Sequence, residues 1–202
     1  VLEAIAVGVQ HSGENRVEEA ESKIPAVNGL SPVPVTWHMI GHIQSRKAKE
    51  VLPLFDRVHS VDSLKLAGKL SGLSLEAGGK LDILLEVNVS GEESKYGFQA
   101  SGWADHAAVR AELWQAVSQV VAFPGVTVRG LMTMAPIVEN AEAVRPVFAS
   151  LARLRTALIE SLSIDLPDLS MGMTDDYPVA IEEGATLVRV GRAIFGERET
   201  RI

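Results

Sequence analysis

The chain has 202 residues, a formal net charge of −7 at pH 7 and no cysteine. This length suits one sizeable core, so we expect a single domain over residues 1–202. The negative charge disfavours a nucleic-acid partner, because a phosphate backbone is bound by a basic surface. Lack of cysteine excludes disulfides and thiolate chemistry, and no apolar run is long enough to predict a membrane span. Without cysteines or a secretory signal, we expect a cytoplasmic location.

Strand and helix patterns alternate seven times along the chain, after an opening segment that has the pattern of a helix end. The predicted strands cover residues 10–15, 36–41, 57–61, 81–90, 126–134, 167–171 and 186–190. Such alternation indicates parallel strands with right-handed crossovers, and predicts a (β/α)8 barrel short of one unit. An open doubly wound sheet is the alternative. That fold usually carries an early G-x-G-x-x-G turn, which this sequence lacks.

Helix boundaries are predicted from capping residues and from apolar spacing. Asn15 and Glu18 have the spacing of a capping box, and Asp62 or Ser63 precedes another helix. Thr174 is the predicted cap of the helix near residue 180. A long helix is predicted near residues 104–121, and its predicted inward side chains are Ala107, Leu113, Val117 and Val120.

Two glycine-bearing turns close the chain, one after the strand at 167–171 and one after the strand at 186–190. Turns that open a helix present free N–H groups and the positive end of the helix dipole, and barrels commonly hold phosphate after their last two strands. Arg189 lies one pleat before Gly191, so its side chain is predicted to point into the barrel. Spacing alone leaves an ordinary βα turn with a solvated arginine equally open.

Other polar residues give weaker signals. His38 and His42 lie an even number of residues apart, but a protein zinc site needs at least three ligands, so no metal site is predicted. Arg46, Lys47 and Lys49 fit the solvated face of a helix. Lys95 lies in the loop 91–97, at the carboxyl end of a strand, where barrels place functional residues.

Several ordered motifs of this chain resemble those of one family, the pyridoxal 5′-phosphate homeostasis proteins, which are single-domain relatives of the alanine racemase barrel. The motifs are S-G-E-N (12–15), W-H-M-I-G-H-I-Q-S-R-K (37–47), V-H-S-V-D-S (58–63), V-N-V-S-G-E-E-S-K-Y-G (87–97), G-L-M-T-M-A-P (130–136), L-S-M-G-M-T-D-D (169–176) and G-A-T-L-V-R-V-G-R-A-I-F-G (184–196). The resemblance implies an α/β fold, a (β/α)8 TIM-type barrel of the alanine racemase N-terminal domain kind. It also implies a carrier or regulator of the cofactor pyridoxal 5′-phosphate in intracellular vitamin B6 homeostasis, rather than a catalyst.

The resemblance further implies which residues hold the cofactor. Ser170, through its hydroxyl and backbone, and the backbone of Gly191 and Arg192 would bind the phosphate. Arg189 would face the pyridine nitrogen, and Asn15 would lie near the ring at the barrel mouth. No catalytic residue and no metal ligand are predicted.

One member of the family site has no counterpart here. The family binds the aldehyde as a Schiff base to a lysine on the first barrel strand, before the S-G-E-N motif, whereas no lysine precedes Lys23 in this chain. We therefore expect the first strand and the Schiff-base lysine upstream of Val1. By resemblance, Lys95 lies at the mouth of the site. The resemblance also implies a monomer, and apo-enzymes that require the cofactor as partners.

Two other functions are weighed against this one. A pyridoxal-phosphate-dependent amino-acid racemase of the same barrel type would need a second catalytic base, and neither Tyr96 nor Tyr177 is placed as one by its sequence context. A cofactor-free barrel enzyme acting on a phosphate substrate would need a carboxylate–lysine pair at inward strand ends, where Glu86 alone is a poor candidate.

Overall fold

The computed structural model describes residues 1–196, so residues 197–202 of the predicted domain lie outside the described part. The strands are β1 (His11–Glu14), β2 (Thr36–Met39), β3 (Arg57–Val61), β4 (Leu81–Asn88), β5 (Phe98–Gln99), β6 (Val126–Met132), β7 (Asp168–Met173) and β8 (Leu187–Arg189). The helices are α1 (Leu2–Ala6), α2 (Val17–Leu30), α3 (Ala48–Val51), α4 (Leu64–Glu76), α5 (Ala107–Val121), α6 (Arg145–Leu162), α7 (Tyr177–Glu182) and α8 (Arg192–Phe195). Two 3-10 turns, Ser45–Lys47 and Ala141–Val144, precede α3 and α6.

The strands form a parallel sheet with the order β1-β2-β3-β4-β6-β7-β8. Consecutive strands are neighbours and helices connect them, so the seven-stranded α/β barrel is confirmed and the doubly wound alternative is wrong. Short β5 pairs with β4 beyond this order, and the sequence did not predict it because two residues cannot establish a period. Since all strands are parallel, their carboxyl ends share one face of the barrel.

The core lies between the sheet and the helices. α4 buries Leu66, Ala67 and Leu70, and α6 buries Phe148, Leu151, Leu154 and Leu158, each set at the spacing of one helix face. β4 is buried along nearly its whole length, which is typical of a parallel strand covered on both faces. None of the helices among residues 1–196 combines the length and the apolarity needed to cross a membrane.

Some predicted caps are wrong, for local reasons. The N-terminal cap of α2 is Arg16, in an extended conformation, and not Asn15. No side chain forms a capping hydrogen bond at this helix end. Thr174 does not cap α7 either, because the Asp176 carboxylate accepts from the Met173 amide at 2.6 Å, and the helix begins only after Asp176. Ser63 does cap α4, with its hydroxyl accepting from the Leu66 amide at 3.3 Å.

One predicted inward position of α5 is also wrong. Leu113, Val117 and Val120 are buried, whereas Ala107 is exposed. Six residues separate Ala107 from Leu113, which is about 240° of rotation at about 100° per residue. Ala107 therefore lies on the other side of the helix.

Candidate functional site

Arg189 is the centre of the polar cluster at the carboxyl ends of the last strands. It is the final residue of β8 and lies beside Met173 of β7 in the strand register. Its Nη1 donates to the Ser170 carbonyl oxygen at 3.0 Å and to Ser170 Oγ at 2.6 Å. Its Nη2 donates to the Thr133 carbonyl oxygen at 3.0 Å and to Met134 Sδ at 3.1 Å. The guanidinium thus ties β8 to β7 and to the segment that follows β6.

These four bonds use the four N–H groups of the two terminal nitrogens, since a guanidinium carries five N–H groups in a fixed fork. Within residues 1–196, the Arg189 Nε–H has no protein acceptor. The site therefore contains one rigidly held cationic donor that is available to an acceptor from outside the chain.

The half-buried Arg189 and the buried Glu86 determine the electrostatics of the site. Burial lowers the pKa of Arg189 to about 10, although the carboxylates of Glu86 and Asp176 act in the opposite direction, so the guanidinium stays charged at neutral pH. Burial, with a smaller contribution from Asp62, raises the pKa of Glu86 to about 7, against the opposing effect of Arg189 and Lys95. Glu86 on β4 is 7% exposed. Its charge therefore changes near neutral pH.

Ser170, which the resemblance assigns to the phosphate, is buried within β7. Its side chain is fully buried, and Oγ contacts Arg189 Nη1 at 2.6 Å and His59 Nδ1 at 2.9 Å. The structure brings Ser170 and Arg189 together as the sequence predicts. Its hydroxyl points to these protein partners, and the turns lie beyond the strand end.

A chain of histidines continues from Ser170. His59 Nε2 lies 2.7 Å from His38 Nδ1, and His38 Nε2 lies 2.9 Å from His11 Nδ1. His42 lies elsewhere, stacked on Tyr96 with its Nδ1 3.1 Å from an Asp62 oxygen. Among the described residues, no three His, Cys, Asp or Glu side chains are arranged so that they could hold one metal ion.

The two predicted turns are joined by an ion pair. Gly191 is the N-terminal cap of α8, and Arg192 forms a short pair with Asp175 in the turn before α7. Gly172 gives the first turn its shape, with φ +90° and Tyr177 and Ala180 packed against its backbone. Gly191 and Arg192 lie shortly after Arg189, whose side chain is the centre of the site.

Asn15 follows β1, at the same face of the barrel as Arg189. It is exposed, and its backbone lies so close to Gly41 that a Cβ on Gly41 would be 2.0 Å from the Asn15 carbonyl oxygen. The contact requires glycine at position 41. It fixes the exit of β1 against the exit of β2 and holds Asn15 at the mouth.

The mouth also contains a cleft of about 430 Å³ on the side of β2 to β4. Lys95 borders it, and Nζ donates to the Ala135 carbonyl oxygen at 3.2 Å. Other residues around the cleft are His42, Ile43, Gln44, Ser45, Asp62, Ser63, Tyr96 and Gly97. Lys95 therefore lies at the barrel mouth, against the segment after β6 that also contacts Arg189.

Sequence reasoning missed the role of His59 and of the Thr133–Met134 segment. His59 and Arg57 share the inward face of β3 by the two-residue period, which was the available signal. Thr133 contributes through its carbonyl oxygen, and a backbone acceptor leaves no signal in the sequence. Met134 contributes a contact between its sulfur and Arg189, which the sequence does not predict.

Comparison with known proteins decides the family. Residues 1–199 match the family described as "Alanine racemase, N-terminal domain". The pyridoxal phosphate homeostasis protein of Aquifex aeolicus is 40% identical over 192 residues, covering 95% of this chain and 78% of the relative. That of Pseudomonas aeruginosa is 42% identical over 200 residues, covering 98% and 79%. The chain belongs to the pyridoxal phosphate homeostasis protein family.

Solved structures agree with this family assignment. PipY of Synechococcus elongatus, a structure with PLP bound, superposes with a TM-score of 0.83 at 35% identity, covering 96% of this chain and 85% of that one. An alanine racemase from Clostridium difficile has a TM-score of 0.73 at 12% identity, covering 98% of this chain and 48% of the racemase. The second match shows a shared fold alone.

Proposed function

We propose that this protein binds pyridoxal 5′-phosphate and serves intracellular vitamin B6 homeostasis as a carrier or regulator. The Arg189 Nε–H carries the proposal: it is a fixed cationic donor without a protein partner in residues 1–196. A pyridine nitrogen is an acceptor that suits such a donor. The PLP-bound PipY structure and the names of the relatives support the same ligand.

The residues present fit the ring. When bound, the cofactor supplies a pyridine ring that withdraws electrons, most strongly when its nitrogen is protonated. A guanidinium donates to that nitrogen and does not give up its proton near neutral pH, even with the pKa of Arg189 lowered by burial to about 10. Arg189 therefore keeps the nitrogen unprotonated, which favours holding the cofactor over activating it.

For the phosphate we propose the backbone N–H groups of Gly191 and Arg192, at the start of α8, as ligands. The first N–H groups of a helix lack intrahelical partners and attract anions. Ser170 is buried and already bonded, so we propose that it acts by fixing Arg189. Asn15 would border the ring from β1.

The proposal also covers the oligomeric state, the location and the partners of the protein. By the family's role, we propose a monomeric cytoplasmic carrier whose partners are apo-enzymes that require the cofactor. The racemase alternative is disfavoured, because the racemase likeness is 12% identical and covers about half of that chain, whereas the homeostasis proteins match at 40% and 42%. A cofactor-free enzyme is disfavoured by the PLP-bound relative.

A binding titration tests the proposal. Pyridoxine 5′-phosphate carries a hydroxymethyl group in place of the aldehyde, so its binding depends on ring and phosphate contacts alone. We expect saturable one-to-one binding by calorimetry, with pyridoxine, which lacks the phosphate, binding much more weakly. Arg189→Leu should weaken binding about ten- to a hundredfold, the usual loss of a charge-assisted hydrogen bond.

Arg153→Leu is the matched control, because Arg153 is exposed on α6. It should bind as the unmodified chain does. Circular dichroism shows whether Arg189→Leu is folded, and Arg189→Lys provides a milder second variant. Absence of binding by the unmodified chain, or equal affinity for pyridoxine and its phosphate, would show the proposal to be wrong.

A further inference from the structure

Three histidines connect the buried side chain of Ser170 to the surface of the barrel. His59 and His38 are 3% and 4% exposed, whereas His11, at the start of β1, is exposed. The ring nitrogens are separated by 2.7 Å between His59 and His38 and by 2.9 Å between His38 and His11. Each buried ring therefore uses both nitrogens in hydrogen bonds, one toward Ser170 and one toward the surface.

Both buried rings are neutral near pH 7. Burial first, and then the neighbouring charges, lower the pKa of His38 to about 4 and that of His59 to about 2. A neutral imidazole has one N–H donor and one lone pair. Adjacent rings at these distances must then donate in the same direction along the chain of rings. In any other arrangement, two N–H groups or two lone pairs would face each other.

Ser170 determines which direction this is. Its Oγ accepts from Arg189 Nη1 at 2.6 Å, and a guanidinium nitrogen can only donate. The hydroxyl proton then needs an acceptor, and among residues 1–196 His59 Nδ1 is the only other partner of this oxygen. An N–H from His59 would place two donors on Oγ and leave a buried O–H unbonded, which is costly.

We propose that His11, His38 and His59 are positioning residues that form one relay of a single direction. Ser170 donates to His59 Nδ1, His59 Nε2–H donates to His38 Nδ1, and His38 Nε2–H donates to His11 Nδ1. The relay ends at His11, which is exposed at the barrel surface. It holds the Ser170 hydroxyl as an acceptor for Arg189, and so it holds the donor that faces the ligand; this last step rests on the proposed function.

Nitrogen NMR of the full chain without ligand tests the relay directly. Two-bond proton–nitrogen spectra of protein labelled with 15N-histidine distinguish the two neutral tautomers and the cation, and single His→Gln variants assign the signals. At pH 7.5 we expect both His38 and His59 as the Nε2–H tautomer. A Nδ1–H tautomer or a cationic ring at either position would overturn the proposal, and this measurement needs no ligand.

A pair of substitutions at one position tests the positioning role. In His59→Gln the amide oxygen can accept from Ser170 and the amide nitrogen can donate to His38, so His38 should keep its Nε2–H tautomer and pyridoxine 5′-phosphate affinity should stay within about twofold. His59→Leu removes both bonds; His38 should then show mixed tautomers, and affinity should fall about tenfold, as for one lost hydrogen bond.

The outcomes separate the two proposals. An unchanged His38 tautomer together with unchanged affinity in His59→Leu would overturn the positioning role. If the unmodified chain does not bind pyridoxine 5′-phosphate, the proposed function fails, and the tautomers of His38 and His59 decide the relay on their own. If His59→Leu does not fold, His59→Gln and the unmodified chain still decide it.

Discussion

Arg189 and Ser170 are joined twice: Nη1 of the arginine donates to the serine carbonyl oxygen at 3.0 Å and to its hydroxyl at 2.6 Å. The strand β7 thereby provides both a backbone and a side-chain acceptor to the end of β8. Since the same guanidinium also reaches the Thr133 carbonyl oxygen, one side chain stabilises the exits of three strands. Arg189 therefore has a structural role in addition to the ligand contact proposed for it.

Arg189→Lys should therefore destabilise the fold even though the charge is kept. A lysine ammonium lacks the planar fork and cannot reach the acceptors on both sides, so buried acceptors lose partners. We expect a loss of about 1–3 kcal/mol in the free energy of unfolding, measured by urea denaturation. Arg153→Lys, on the exposed face of α6, is the control and should change it by less than about 0.5 kcal/mol. Equal effects of the two substitutions would refute the bracing role.

Gly172 should tolerate alanine poorly. Its φ is +90°, and a Cβ would lie 2.6 Å from the Ala180 Cβ, so both backbone strain and overlap oppose the substitution. Gly184 is the matched control, with φ +91° and nothing within 4 Å. Gly184→Ala should cost about 1–2 kcal/mol from strain alone, and Gly172→Ala should cost about 1–3 kcal/mol more from crowding. Thermal and urea unfolding measure both; a Gly172→Ala variant as stable as Gly184→Ala would contradict the packing described for this turn.

Glu86 makes stability fall as the pH rises. Its folded pKa of about 7 lies above the ordinary value of 4.5, so between these values the folded chain keeps a proton that the unfolded chain has released. Stability is then lost as the pH increases through that interval. Glu86→Gln should be more stable than the unmodified chain by about 1–3 kcal/mol at pH 8 and equal to it near pH 4.

Urea denaturation at the two pH values measures this difference. Glu160→Gln, on the exposed face of α6, is the control, for which we expect no such pH-dependent gain. If Glu86→Gln were less stable than the unmodified chain at pH 8, the carboxylate would instead be a net stabilising partner of Arg189.

The buried histidines have the opposite effect to Glu86, because they make stability fall as the pH decreases. The folded pKa of His38, about 4, lies below the ordinary 6.5, so between these values the unfolded chain binds a proton that the folded chain does not. Stability is therefore lost as the pH falls below about 6.5. From pH 7 to pH 5, His38 should account for a loss of about 2 kcal/mol, which His38→Gln should abolish.

The stabilities of the unmodified chain and of His38→Gln are compared by denaturation at pH 7 and pH 5. Glu86 is present in both chains, so its opposing contribution cancels in the difference between them. His106→Gln, at the exposed start of α5, should keep the pH slope of the unmodified chain. A His38→Gln variant with that same slope would show that His38 is not held neutral in the fold.

Strand positions were predictable because β-branched and apolar runs such as 81–88 have a clear pattern. The parallel arrangement of the strands followed from the alternation of strand and helix patterns along the chain. Ser170 and Arg189 lie on consecutive predicted strands, so the sequence places them in the same part of the barrel. What the sequence could not give was the depth of Ser170, because depth depends on register shifts between β7 and β8. The histidine relay was equally hidden: His11, His38 and His59 come from three strands, and only folding brings them to hydrogen-bonding distance.

The most direct test of the account is a crystal structure of the protein with pyridoxine 5′-phosphate. We predict the phosphate within hydrogen-bonding distance of the Gly191 and Arg192 backbone amides, and the ring nitrogen within hydrogen-bonding distance of Arg189 Nε. Asn15 should border the ring. A ligand bound instead in the cleft beside Lys95, or a ring whose nitrogen faces away from Arg189, would contradict the site proposed for this protein.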